Sequence, residues 1–215
     1  MKEHVVELLR EGDWDGLVHA VRVRSVTWSQ LIRALYLEDE LVGWRAVEGF
    51  GRDIGELVTA ETDTCREMLR RLLWAMNEES GSSGRRLPAA LGEAVARAPG
   101  VFGDYALTLL GPLEEPFLQA AAAWGLGRIA QVRQDLVREA VAALRLLLDS
   151  PDPAVRGHGA WALGEMGVQD AAKELASLAN DTGTVNIYLD GRLSRTTVGA
   201  LARAARARLQ AARPS

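Results

Sequence analysis

Cysteine is almost missing from this chain: Cys65 is the single one in 215 residues. One thiol excludes an internal disulfide framework and any CxxC zinc or redox motif. Histidine is nearly as scarce, and His4, His19 and His158 are too scattered to offer a transition metal a ligand set. No metal and no cofactor are therefore expected. No apolar run reaches the ~18 residues of a membrane span, and Met1-Lys2-Glu3-His4 lacks the apolar stretch of a secretory signal. A cytoplasmic chain without a membrane partner is the expectation. The net charge of −4, from 25 Lys+Arg against 29 Asp+Glu, opposes broad binding to nucleic acid. Phosphate-loop, zincin, nucleophile-elbow and EF-hand motifs are absent. Gly125-Leu126-Gly127-Arg128-Ile129-Ala130 has the spacing of a dinucleotide fingerprint, but an Ala-rich helical run precedes it where a strand is required.

Helical period is what the chain has in abundance. Cys65, Met68, Leu69, Leu72, Leu73 and Met76 form one apolar stripe with charge opposite, which makes Cys65 a small core residue. Leu136, Val137, Ala140, Val141, Leu144, Leu147 and Leu148 form another. The pattern predicts helices at 2–11, 14–22, 27–37, 39–54, 60–77, 87–98, 101–111, 115–130, 134–149, 153–167, 169–180 and 197–212. One segment breaks it. Asp190-Gly191 separates Val185–Leu189 from Arg192–Val198, two strand-like runs, and Asp-Gly suits a type I′ turn with positive φ at both positions. A β-hairpin is predicted over 184–198.

Ala-Leu-Gly-Glu occurs at 90–93 and 162–165, with Gly-Phe-Gly-Arg at 49–52, Gly-Leu-Gly-Arg at 125–128 and Ala-Leu-Ala-Arg at 200–203. The small third residue of each falls at 51, 92, 127, 164 and 202, which is the spacing of stacked helix pairs. A small side chain there lets another helix come close. The next residue alternates in sign: Arg52, Glu93, Arg128, Glu165, Arg203. Side-by-side repeats would turn that alternation into a charge ladder, with Arg128 and Glu165 as its clearest pair.

The best-formed repeat, Asp152-Pro153-Ala154-Val155-Arg156 through Ala160-Trp161-Ala162-Leu163-Gly164, resembles the HEAT-like repeat of phycobilisome-lyase-type proteins. That repeat begins Asp-x-x-Val-Arg and ends its first helix in Ala-Leu-Gly. The segment Arg70 to Gly81 is similar to one in a group of uncharacterised bacterial HEAT-like proteins. The resemblance implies an all-α solenoid in one domain over 1–215, with capping helices at 1–38, helix pairs at 39–180, the hairpin, and a last helix at 197–212. It further implies ligands along the concave face, bound by the second helices of the pairs. It implies no reaction.

Two features are candidates for binding. Ala154, His158, Trp161 and Glu165 share a helix face, and Phe117, Ala121, Trp124 and Arg128 hold the matching positions one repeat earlier. Trp124, Trp161 and His158 would make an aromatic shelf able to stack a planar ligand, or would fill the seam between repeats. The polar 77–86 loop, with Asn77, Glu78 and Glu79 at its edge, is longer than a repeat turn needs. The expected function is a non-catalytic protein-binding scaffold acting through its concave face and this loop. A bilin lyase or isomerase helper is one alternative. A HEAT-like DNA-repair glycosylase is another, favoured by Arg133, Arg138 and Arg145 and opposed by the net charge.

Overall fold

The computed structural model describes residues 2–24, 26–76 and 84–211. The helices are α1 Lys2–Glu11, α2 Trp14–Arg22, α3 Trp28–Ala34, α4 Glu40–Leu57, α5 Thr62–Met76, α6 Leu87–Arg97, α7 Pro99–Phe102, α8 Leu110–Glu114, α9 Gln119–Ala130, α10 Val141–Leu146, α11 Pro153–Glu165, α12 Ala172–Ser177 and α13 Val198–Ala211. Strands β1 Thr184–Leu189 and β2 Arg192–Thr197 form the antiparallel hairpin. The fold is an α-solenoid with a hairpin near its C-terminal end.

Local chemistry explains the starts of these elements. Asp13, Thr27, Asp39 and Asp152 each cap a helix by accepting a backbone N–H, and Thr27 with Gln30 completes a capping box. Pro153 then supplies the preset φ of the first helical position. The arginine of the Asp-x-x-Val-Arg sequence is a clamp. Arg156 donates to the carbonyls of Ser150 and Pro151 and pairs with Asp181 at 2.8 Å, tying one helix start to the turns on either side.

Five helices, α4, α6, α9, α11 and α13, lie side by side in a row. The small marker residues are where they touch. A Cβ at Gly92 would stand 2.3 Å from the Gly125 Cα, one at Gly127 2.3 Å from the Trp161 ring, and one at Gly164 2.6 Å from the Ala205 Cβ. The close approach therefore joins marker helices of successive repeats. Helices α1, α2 and α3 pack on α4, while α5 and the segments around α8, α10 and α12 form the other layer.

That second layer corrects the continuous helices expected at 101–111, 134–149 and 169–180. Residues Gly103–Leu109, Gln134–Ala140, Leu147–Asp149 and Gln169–Ala171 are 3₁₀ helices. Their three-residue repeat brings i and i+3 onto one side. Ala106 with Leu109, and Val137 with Ala140, are accordingly all fully buried.

The row curves strongly. Trp44 of α4 stacks on His158 of α11 with ring centroids 6.3 Å apart, although α6 and α9 stand between those helices in the row. The hairpin lies in the concavity. Asp190 and Gly191 have φ of +51° and +76°, the two positive values a type I′ turn demands. Val185, Ile187 and Tyr188 of β1 are buried, while Arg192, Ser194 and Arg195 of β2 face solvent. A lone hairpin is marginal in water, and the concave face supplies its missing core.

Candidate functional site

The aromatic shelf exists, but it is covered. Trp124, Trp161 and His158 are 2%, 5% and 2% exposed. Trp124 meets Trp161 at 6.2 Å and Trp44 at 5.1 Å between centroids, and Trp44 stacks on Tyr188 at 5.9 Å. The Trp124 indole N–H donates to the Tyr188 carbonyl at 2.7 Å. Residues from α4, α9, α11 and β1 thus fill the groove with rings, the Trp124 indole edge being bonded to the hairpin backbone. Of the two readings of Trp124, Trp161 and His158, an open stacking surface or a filled seam, the geometry is that of the seam, and the hairpin brings Tyr188 over it. The same burial covers the face on which the bilin alternative would have stacked a planar chromophore.

His158 is held at this junction by its Nδ1, 2.7 Å from the Ala154 carbonyl, while its Nε2 is buried without a partner. Burial pushes its pKa below the ordinary value, outweighing the Ala154 bond, so the ring is neutral. Asn77, Glu78 and Glu79 lie outside the described residues.

What stays open is a charged cleft of about 320 Å³ where the hairpin turn meets α4, α6 and α9. Its wall is an ion-pair network. Arg52 pairs with Glu48 at 2.7 Å one turn back on α4, and Arg97 pairs with Glu93 at 2.8 Å in the same way on α6. Arg128 of α9 grips Glu93 in a fork, with Nε to Oε2 at 2.6 Å and Nη2 to Oε1 at 3.2 Å. Burial works against the charge on Arg128, but the bond to Glu93 together with the negative charges of Glu93, Glu48 and Asp190 more than compensates and holds its pKa above normal. Glu48 also accepts the Tyr188 hydroxyl at 2.6 Å. The Arg52 guanidinium sits 5.0 Å from the centre of the Trp14 ring.

The charge ladder is therefore real in part and shifted in partner. Arg128 reaches back to Glu93, and the expected Arg128–Glu165 pair does not form. Glu165 pairs with Arg208 at 2.5 Å, one turn beyond Arg203 on α13. Arg203 donates instead to the Ala179 carbonyl. Trp44, Glu48, Arg97 and Tyr188 were absent from the expected site. A signal for the first two was present: Trp44, Glu48 and Arg52 follow i, i+4, i+8 and so share one face of α4.

Comparison with known proteins agrees with this architecture. Residues 116–166 match the HEAT-like repeat family. An uncharacterised protein of Archaeoglobus fulgidus is 26% identical over 175 residues, covering 80% of this chain and 92% of its own. The crystal structure of an engineered protein superposes with a TM-score of 0.51 at 20% identity, over 98% of this chain and 96% of that one. The last is a likeness of fold alone. The molecule is an α-solenoid carrying a HEAT-like repeat, and no helix among the described residues is long and apolar enough to cross a membrane.

Proposed function

We propose that this chain is a non-catalytic protein-binding scaffold of the phycobilisome-lyase-like kind of HEAT repeat. The observation that supports it is the cleft at the mouth of the concavity. The groove itself is filled from within by the hairpin, yet Arg52, Arg97 and Arg128 remain as an ordered, partly exposed charged edge, held in place by the buried Glu48 and Glu93. Pre-positioned charges at a groove edge set orientation and partner choice more than raw affinity. The 77–86 loop belongs to the same proposal as a second contact.

Affinity capture from native lysate tests the reading. The wild-type chain should retain a reproducible protein partner, and Arg52→Glu should lose it while remaining folded. Replacing 78–86 with a short Gly/Ser turn should weaken capture. A wild-type chain that retains nothing above a bare-resin control would overturn the proposal.

A further inference from the structure

The acceptors that the helices place on the cleft wall are already engaged. Glu48 Oε1 takes two N–H groups of Arg52, and its Oε2 takes the Tyr188 hydroxyl. Glu93 Oε1 takes Arg97 Nε and Arg128 Nη2, and its Oε2 takes Arg128 Nε. The Gln131 side-chain oxygen takes Arg128 Nη1. Donors, by contrast, are left over. Among the described residues, Nη1 of Arg52 and both terminal nitrogens of Arg97 have no hydrogen-bond partner, and Arg97 Nη2 is 4.0 Å from Glu48 Oε1. Both side chains are about one-third exposed, 34% and 33%.

A wall with its acceptors used and its guanidinium donors free suits a ligand rich in acceptors. Three arginines face two carboxylates within the network, so one positive charge is unbalanced there. The remaining acid of the wall is Asp190, exposed at the hairpin tip and near enough to act on Arg128 through space. Arginine presents paired N–H groups in a fork that matches carboxylate and phosphate oxygens. The Trp14 ring beneath Arg52, and the bonds of Arg52 and Arg97 to Glu48 and Glu93, fix both forks in place without using up their outer edges. The cleft is at the lower end of the size range of small-molecule pockets.

We infer that this cleft is an oxyanion site: Arg52 and Arg97 bind a carboxylate or phosphate group, and Asp190 on the hairpin turn opposes its entry. The inference goes beyond the scaffold reading, because the site binds the anion whether or not a protein carries it. Asp190 acts as a resident competing charge, so the affinity of the site is set partly by the hairpin tip.

Calorimetric titration of the full chain at low ionic strength, with inorganic phosphate in one arm and succinate in the other, tests this and separates the two ligand classes. Saturable binding of at least one anion is expected. Arg97→Gln should weaken it about tenfold by removing one charged fork, with Arg128 still holding Glu93. Asp190→Asn should tighten it about threefold or more, since asparagine keeps the left-handed backbone of the turn and removes the opposing charge. Circular dichroism confirms that each variant is folded. Should Arg97→Gln fail to fold, the Asp190→Asn arm decides alone. No saturable heat from either anion, or a folded Asp190→Asn chain that binds no tighter than wild type, would overturn the inference. Lost partner capture with intact anion binding strikes the scaffold reading only, and the reverse strikes only this one.

Discussion

The Tyr188 hydroxyl donates to Glu48 Oε2 at 2.6 Å, joining a strand of the hairpin to α4 across 140 positions of sequence. Both residues are buried, and both burial and the Glu48 carboxylate push the phenol pKa upward, so the group stays a donor well above neutral pH. Tyr188→Phe should destabilise the protein by ~1–3 kcal/mol, the cost of stripping a partner from a buried acceptor. Denaturant unfolding measures it. A midpoint equal to wild type would show that the bond contributes nothing.

The turn gives a second expectation. Gly191 has φ of +76°, where a β-branched residue is strained. Gly191→Val should cost about 1–3 kcal/mol in the same assay.

A paired glycine substitution tests why the marker helices can touch. A Cβ at Gly92 meets backbone of Gly125 at 2.3 Å, whereas one at Gly100 meets nothing within 4 Å. Gly92→Ala should therefore destabilise by ~1–3 kcal/mol or more. Gly100→Ala should be neutral or stabilise by up to ~1 kcal/mol. Equal effects would mean that the row has room for a methyl group.

The network predicts unequal couplings for Arg128. Double-mutant cycles should give ~1–3 kcal/mol with Glu93 and a clearly smaller value with Glu165, because only the first pair is in contact and Arg128 acts on Glu165 through space alone. A larger value for Glu165 would contradict the geometry.

Asp53 predicts a pH dependence. It is fully buried on α4 with neither carboxylate oxygen bonded, and desolvation raises its pKa from 3.8 to about 7, against the lowering pull of Arg22. An acid with a raised folded pKa binds its proton more tightly in the folded state. Its contribution to stability is thus full below pH 3.8 and falls away as pH rises to about 7. His158 runs oppositely, since its lowered pKa costs stability as pH falls below its ordinary 6.5. Comparing wild type with Asp53→Asn cancels the histidine. The variant should gain on wild type by roughly 4 kcal/mol between those two pH values and no further above them. A difference that is flat with pH would place the Asp53 carboxyl in contact with water.

The row of marker helices was legible in the sequence because packing through glycine leaves a mark at each contact, Gly92 and Gly127 among them. The hairpin was legible because a type I′ turn tolerates few residues besides Asp190-Gly191. Its destination was not. Periodicity put Trp124, Trp161 and His158 on one face, but a period says which side of a helix is apolar and nothing of what covers it. Tyr188 and Trp44 arrive from opposite ends of the chain. The alternating signs likewise announced a network without its direction, since Arg128 has an acid on either side and only side-chain reach decides that Glu93 wins.

A stack of repeats leans only on its neighbours, so an open one gives way from its ends, unit by unit. Here a segment just before the last helix is fastened to the first long helix of the row by Tyr188 on Glu48 and by Asn186 on Glu40 at 2.7 Å. The hairpin is a crosspiece that turns a line into a ring. Loosening α13 pulls on α4, and fraying at one end is felt at the other. The array should melt in one cooperative step, with its curvature fixed until the whole of it goes.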